Sequence, residues 1–191
     1  VEHQHAILPM KPESTTTQSQ LSFRKTTLEE AEFIAKLVNS AYRGDSSKAG
    51  WTSEADLLDG RRTDLLEIQS LIQDAANSMI LLCLQNDEVI GSVLLQIKGA
   101  EAYLGMFVVR PDLQGNGIGK QLLSAAERIA QQEWSVSKIT MSVITLRPEL
   151  IAFYQRRGYR RTGEVLPFPD DPAAGIPLVP DLQFEMLEKD L

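Results

Sequence analysis

Apolar positions change period several times along this chain, and each change marks a boundary between elements. Leu21-Ser-Phe-Arg-Lys-Thr26 alternates apolar with polar and predicts a first strand. Thr27 and Glu30 stand at capping-box spacing. Ala31, Ile34, Leu37, Val38 and Ala41 follow at helical intervals, which predicts a helix with one buried stripe. Between Arg43 and Asp59 no period holds: Gly44, Ser46, Ser47 and Gly50 interrupt it around Trp51. A second amphipathic helix is expected from about Thr63 to Ala76, turning Leu65, Ile68, Leu71, Ile72 and Ala75 inward.

Three strands are then expected in close order. Met79–Gln85 and Val89–Ile97 are joined by Asn86-Asp87-Glu88, a hairpin signal. Ala102–Arg110 is apolar almost throughout, as a strand covered on both faces should be. Pro111 and a glycine-rich run lead into a helix through Trp134, with Ile118, Leu122, Ala126, Ile129 and Ala130 as its inward stripe. Lys138–Ile144 reads as a strand; Pro148 suits the first turn of a short helix, and Gly158 its C′ position. Tyr159–Val165 and Leu182–Leu187 read as strands, separated by a Pro/Asp-rich loop from Pro167 to Pro180. The order is β-α-α-β-β-β-α-β-α-β-β. No repeat or linker divides it, so residues 21–191 are expected to form one domain behind a Ser/Thr/Gln-rich flexible tail over residues 1–20. Met10 would serve as an internal start, with residues 1–9 an addition.

Composition narrows the chemistry. A chain of 191 residues, 43% hydrophobic, has enough apolar surface for a core without staples. Lys and Arg number 19 against 26 Asp and Glu, a net charge of −7, which disfavours nucleic acid and anionic membranes as partners. The one cysteine, Cys83, lies inside the apolar run Met79-Ile-Leu-Leu-Cys-Leu84 and reads as a small buried hydrophobe, so disulfides and cysteine-zinc sites drop out. Both histidines, His3 and His5, precede the first strand, which argues against Ser-His-Asp, Cys-His and His-metal machinery; no metal is expected. No apolar run approaches the ~20 residues of a membrane span, and no basic-plus-apolar leader opens the chain, so a soluble cytoplasmic protein is expected.

The most informative segment is strand, Pro111, then Gln114-Gly-Asn-Gly-Ile-Gly-Lys120, then helix. Glycines let successive N–H groups converge on one anion, and the helix behind adds its free N–H groups and positive dipole end. This pattern predicts a phosphate or pyrophosphate site, against the plainer reading of a tight strand–helix turn. A Walker A loop needs four residues between Gly and Gly-Lys, with Ser or Thr next; here three residues separate Gly115 from Gly119, and Gln121 follows Lys120. A dinucleotide fingerprint needs G-x-G-x-x-G, whereas this loop is G-x-G-x-G after three strands joined by short turns.

Gln114-x-x-Gly117-x-Gly119 after an apolar strand and Pro111 resembles the GNAT superfamily of N-acetyltransferases. The likeness is sharpest from Leu104 to Leu123, and a second block, Glu149-Leu-Ile-Ala-Phe-Tyr-Gln-Arg-Arg-Gly-Tyr159, is similar to that family's helix ending in Tyr, a spacer and Gly-aromatic. The resemblance implies an α/β (α+β) fold: a mixed, mostly antiparallel central sheet flanked by about four helices. It also implies acetyl-coenzyme A as cosubstrate. Phe107, Val108 and Val109 would hold the pantetheine arm like an added strand, across a splay between this strand and Lys138–Ile144. The main-chain N–H groups of Gln114, Gly115, Asn116, Gly117, Ile118, Gly119 and Lys120 would hold the pyrophosphate. A main-chain donor at Phe107 or Val108 would also polarise the thioester carbonyl.

By the same resemblance Tyr154 is the candidate general acid for the leaving thiolate, the alternative being a ring that merely packs beside Phe153. Two positions depart from the family pattern. Where many members have Asn, this chain has Arg147, expected either to reach a phosphate or to be solvated. Where some members carry a catalytic Glu on the strand, Tyr103 stands. The general base therefore stays open among Glu101, Tyr103, Glu54 and Asp56.

Gly50-Trp-Thr-Ser-Glu-Ala-Asp-Leu-Leu-Asp-Gly-Arg-Arg62 lies where the family's variable helices wall the acceptor pocket. Trp51 offers a flat apolar surface, and Glu54, Asp56 and Asp59 are candidates to pair with a cationic amine; the plainer readings are a core Trp and a solvated acidic face. Residues 54–74 hold Glu54, Asp56, Asp59, Asp64, Glu67 and Asp74 against Arg61 and Arg62, so part of the acidic surplus is expected to meet the amine. The loop from Pro167 to Pro180, with Phe168, Asp170 and Asp171, is long for a structureless connection and is a candidate second wall.

The expected activity is direct transfer of an acetyl group to the primary amine of a small molecule or a peptide N-terminus, by a monomer or homodimer. No credible covalent nucleophile competes. Amino acids, polyamines, aminoglycosides and peptide N-termini all fit as acceptors. The rival is a coenzyme-A-binding or sensing module that keeps the loop and lacks the chemistry.

Overall fold

The computed structural model describes residues 20–191. The expected tail up to residue 19, with Met10 and both histidines, lies outside the described residues. The chain runs β1 (Leu21–Lys25), α1 (Ala31–Tyr42), α2 (Gly44–Ser47), β2 (Leu58–Asp59), α3 (Leu65–Gln73), β3 (Ser78–Gln85), β4 (Glu88–Lys98) and β5 (Glu101–Val109). It continues through α4 (Ile118–Trp134), β6 (Lys138–Ile144), α5 (Pro148–Gln155), β7 (Arg160–Pro167), β8 (Ile176–Pro177) and β9 (Gln183–Asp190). Seven strands form one sheet in the order β1-β3-β4-β5-β6-β9-β7, antiparallel everywhere except between β5 and β6. This is the mixed, mostly antiparallel architecture expected, with five α-helices among the described residues, one of them the single turn α2.

The apolar run of β3 is explained by its place inside the sheet. Ile80, Leu82 and Leu84 pack under α1 against Ile34 and Val38, while Leu81 and Cys83 face the other way, into the cluster that holds Leu122 and Ala126 of α4. Alternate residues of one strand therefore serve two cores, and each buried Leu or Ile contributes about 1.5–3 kcal/mol. Leu82→Ala would leave a cavity at about 2–5 kcal/mol. Asn86 (φ 52°) and Asp87 (φ 63°) make the tight β3–β4 turn in the left-handed conformation that two-residue hairpins require.

Several boundaries differ from the periodicity. Asp64 accepts the main-chain N–H of Glu67 at 2.9 Å, so α3 begins at Leu65 rather than Thr63. Its turn after Gln73 leaves Ala75 outside, and both Ala75 and Leu65 are exposed instead of inward. The irregular stretch after α1 and the Pro/Asp-rich loop are not structureless. Leu58 and Asp59 pair with Pro177 and Ile176, and this two-stranded ribbon ties the two segments together.

One irregularity positions the site. β5 and β6 pair only at Ala102↔Ile139 and Tyr103↔Thr140, then diverge. Just beyond, Met106 takes φ +43° and the register with β4 slips between Ser92 and Leu94, a bulge that bends β5 away from its parallel neighbour. The result is an open gap in the middle of the sheet.

Candidate active site

The gap exposes a specific set of main-chain groups. Arg110 N–H donates to Ile90 C=O at 2.8 Å, so the two-residue alternation turns Val108 toward β4 as well and Phe107 and Val109 toward the gap. Val108 therefore differs from its expected role: its main chain is committed to β4 and its side chain to the core under α1. Phe107 C=O accepts the Tyr42 hydroxyl at 2.6 Å, and Val109 C=O accepts Gln114 Nε2 at 2.9 Å.

Beyond β5 the chain turns through Gly115 (φ 87°) and Gly117 (φ 77°) into α4. The first main-chain bond of the helix is Gln121 N–H to Gly117 C=O at 3.3 Å. The N–H groups from Gly115 to Lys120 have no acceptor among the described residues, so a row of donors faces outward at the positive end of a 17-residue helix. Asn116 steadies the turn through Nδ2 on Leu113 C=O at 3.0 Å, and Ile118 anchors it in the core. This cradle fits an anion of pyrophosphate size.

The Gln114 side chain has a structural task. Its Nε2 donates to Thr52 Oγ1 and its Oε1 accepts Trp51 N–H, both at 2.9 Å. Gly50 leaves room for it, because a Cβ there would stand 2.5 Å from Gln114 Oε1 and push the carboxamide aside. From the other side Arg147, buried at the start of α5, donates to Trp51 C=O at 2.6 Å, Thr52 C=O at 3.2 Å and Glu149 at 2.7 Å. Arg147 neither reaches toward the anion loop nor stands in solvent; its donors are used in clamping residues 51–52. Trp51 lies against Phe153 with ring centroids 5.4 Å apart and walls the cleft containing the anion loop.

Two cavities meet in the gap. One, of about 410 Å³, runs between Trp51 and the loop Gly115–Lys120. The other, of about 240 Å³, opens beneath the β2–β8 ribbon. Tyr42, Phe107, Leu150 and Tyr154 line both and form the junction. Tyr154 is buried there, edge-on to Phe153 and Tyr159, and its hydroxyl has no hydrogen-bond partner among the described residues. Burial pushes the Tyr154 phenol well above its ordinary value, and burial raises Tyr42 likewise.

The second cavity sorts the remaining candidates. Tyr103 lines it, with its hydroxyl 2.8 Å from Ser142 Oγ. Glu54 lines it too, 3.3 Å from the buried Arg43. Burial raises the Glu54 carboxyl above its ordinary value, with Arg43 opposing the shift. Glu101 is not in the site: it starts β5 at the closed end of the gap, 3.6 Å from Lys138 and outside both cavities. Asp56 is exposed and 3.5 Å from Lys48, and Asp59 is exposed on the ribbon, so neither faces a bound amine. Phe168 does line the second cavity, whereas Asp170 and Asp171 are exposed and outside it.

Sequence reasoning missed Tyr42, Arg43, Thr52, Arg62 and Ser142, together with Arg156 and Arg157 at the first cavity. Tyr42 had a signal, since it closes the buried stripe of α1 with a polar tip, and Arg156-Arg157 follow Tyr154 directly in sequence. Thr52 and Arg62 fell inside the segment expected to wall the acceptor pocket but were not singled out; Arg43 had no signal, and Ser142 enters only through the splay of β6 from β5.

The fold is shared with solved structures. PaiA N-acetyltransferase from Thermoplasma acidophilum, in complex with coenzyme A, matches with TM-score 0.65 and 17% identity over 90% of this chain and 99% of that one. Ribosomal-protein-alanine N-acetyltransferase from Brucella melitensis matches with TM-score 0.67 and 16% identity over 89% and 99%. The protein yncA from Salmonella typhimurium, with its cofactor acetyl-CoA, matches with TM-score 0.67 and 16% identity over 91% and 95%. No curated protein matches the sequence. Residues 33–159, which carry the anion loop, the gap and Tyr154, match the model of the acetyltransferase (GNAT) family, and the chain belongs to that family.

Proposed function

We propose that the protein transfers an acetyl group from acetyl-coenzyme A to a primary amine by direct attack. The observation that carries this reading is the meeting of two cavities at Phe107 and Tyr154, one leading to the free N–H row and the other to Glu54. The N–H groups from Gly115 to Lys120 hold the pyrophosphate, with Lys120 and Arg156 beside them in the same cleft. The gap-facing groups of Phe107 and Val109 pair with the pantetheine arm as a further strand would, and the Phe107 N–H polarises the thioester carbonyl, a donor worth about 3 kcal/mol in the transition state.

The acceptor enters through the second cavity. Its nitrogen forms a C–N bond at the carbonyl carbon as the C–S bond breaks, so one proton must leave nitrogen and the sulfur must be stabilised. Glu54 receives the proton, directly or through water, and its raised affinity for a proton suits it to that task. Tyr154 donates a hydrogen bond to the departing sulfur. A phenol raised by burial loses its proton to a free thiolate (pKa about 8.5) only with difficulty. The role of Tyr154 is therefore a hydrogen bond to the departing sulfur rather than full proton transfer.

The test is release of free thiol from acetyl-coenzyme A across a broad amine panel, alongside calorimetric titration with coenzyme A. Amine-dependent release supports the reading. Coenzyme binding without release by any amine favours a sensing module, and absence of coenzyme binding overturns both.

A further inference from the structure

The acceptor cavity holds more positive than negative charge. Its only charged lining residues among the described ones are Arg43, Arg62 and Glu54. Glu54 is already engaged by Arg43 at 3.3 Å, and Arg43 keeps two buried nitrogens, Nε and Nη1, without an acceptor. The Arg62 guanidinium has neither an ion pair within 4 Å nor a side-chain hydrogen bond among the described residues.

Arg62 is nonetheless held in place. Asn39 on α1 accepts the main-chain N–H of Arg62 at 2.7 Å and of Thr63 at 3.2 Å, and donates to Thr63 C=O at 2.9 Å. The main chain is thereby fixed at the edge of the cavity, and the Arg62 guanidinium lies over the Tyr42 ring, 5.9 Å from its centroid. The three carboxylates that share the groove on its outer side are engaged elsewhere. Asp64 accepts Glu67 N–H at the start of α3, Glu67 accepts the Thr63 hydroxyl at 2.6 Å, and Asp171 accepts Ala173 N–H at 2.9 Å. A guanidinium kept unpaired against an aromatic face, one ring from the junction at Phe107, lacks an anionic partner that planar two-donor recognition would suit.

We infer that the acceptor is an amine that also carries a carboxylate, of amino-acid size, with the carboxylate on Arg62 and the nitrogen at the Phe107–Tyr154 junction. The cavity of about 240 Å³ admits a small molecule of this kind. Its net positive charge also favours the neutral amine over the ammonium, which is the form that attacks. Polyamines and aminoglycosides fit poorly: a second cation would find only Glu54, already held by Arg43. The inference rests on the acetyl-transfer reading only for which end of the acceptor reacts.

Binding separates the two. N-acetyl derivatives of the common amino acids, each against its carboxamide, and N-acetylputrescine are titrated calorimetrically into the coenzyme-A-loaded protein. At least one acid should bind about tenfold or more tighter than its amide. Arg62→Gln should erase that difference and Arg62→Lys restore part of it, with coenzyme A affinity unchanged in both as the check on folding. Amides or N-acetylputrescine binding as tightly as the acids, or no acid binding, overturns the inference. Selective acid binding without thiol release from any amine upholds it and overturns acetyl transfer. Thiol release from amines lacking a carboxylate, with no preference for acids, does the reverse.

Discussion

Gln114 Oε1 accepts the main-chain N–H of Trp51 at 2.9 Å, so the anion loop after β5 and the irregular segment after α1 are held to one another. Two further bonds from the same carboxamide, to Thr52 Oγ1 and Val109 C=O, make it a three-way tie at the mouth of the first cavity. Gln114→Ala removes all three at a net cost of about 1–3 kcal/mol in unfolding free energy. Coenzyme A binding should weaken about tenfold, because Trp51 loses its fixed place. Gly50→Ala should reproduce the binding loss, since its Cβ would displace the same carboxamide. Urea denaturation and coenzyme calorimetry on both variants check this, and an undisturbed affinity would count against the tie.

Tyr154→Phe removes one hydroxyl that has no partner among the described residues, so folding should be unaffected. In the proposed role the loss falls on the transition state alone. kcat should drop about a hundredfold with the KM for acetyl-coenzyme A changed little. Tyr42→Phe offers the contrast: it deletes the bond to Phe107 C=O, next to the bulge at Met106, and should raise KM as well as lower kcat. Steady-state kinetics with the best amine of the panel distinguishes the two patterns.

Much of this site was legible before the structure, and the reason is local. The anion loop needs glycines where φ is positive and a helix directly behind, and both requirements are written consecutively in Gln114–Lys120. The strands were legible because β3 is buried on both faces and β5 is apolar over most of its length, although in its first half one face, at Tyr103 and Gly105, opens on the second cavity instead of a core. Arg147 resisted because its partners, Trp51 and Thr52, lie far along the chain, and Glu54 was named without its pairing because Arg43 reaches it only through the fold of the irregular segment. Charge alone pointed the wrong way. The acidic residues of 54–74 suggested an anionic wall for a cationic amine, yet Asp56 and Asp59 stand outside, Asp64 caps a helix, and Glu54 is already paired. Sequence counts charges; only packing says which of them face the cavity.

Glu30 anchors the turn before α1, accepting Thr27 N–H at 2.8 Å and both terminal nitrogens of Arg24 at 2.6 and 3.0 Å. The Arg24 guanidinium holds its carboxyl down at about 2. A depressed carboxylate stabilises the fold above the ordinary carboxylate range, and that contribution is lost as pH falls through about 2. Arg24 is nearly half exposed, so solvent reduces the effect to about 1 kcal/mol. Glu30→Gln should therefore lower unfolding free energy by about that amount at pH 7 and by much less below pH 2. Urea midpoints at the two pH values test the sign, and an equal loss at both would contradict it.

Glu54 should set the acidic limb of the rate profile. Burial raises its carboxyl above the ordinary range, so the group is protonated, and idle as a base, over the lower part of the accessible pH range. kcat/KM should rise as pH climbs through that raised value and then level off. Glu54→Gln should lower kcat about a hundredfold and flatten this limb. Arg43 loses its carboxylate partner in that variant, so some loss of stability is expected as well. Coenzyme A affinity, which depends on the loop across the gap, is the control for an intact fold. Glu54→Asp keeps a carboxylate but shortens its reach; it should preserve the pH limb while lowering its plateau. A limb unchanged in Glu54→Gln would move the base to another group, and Tyr103, which lines the same cavity beside Ser142, would be the residue to test next.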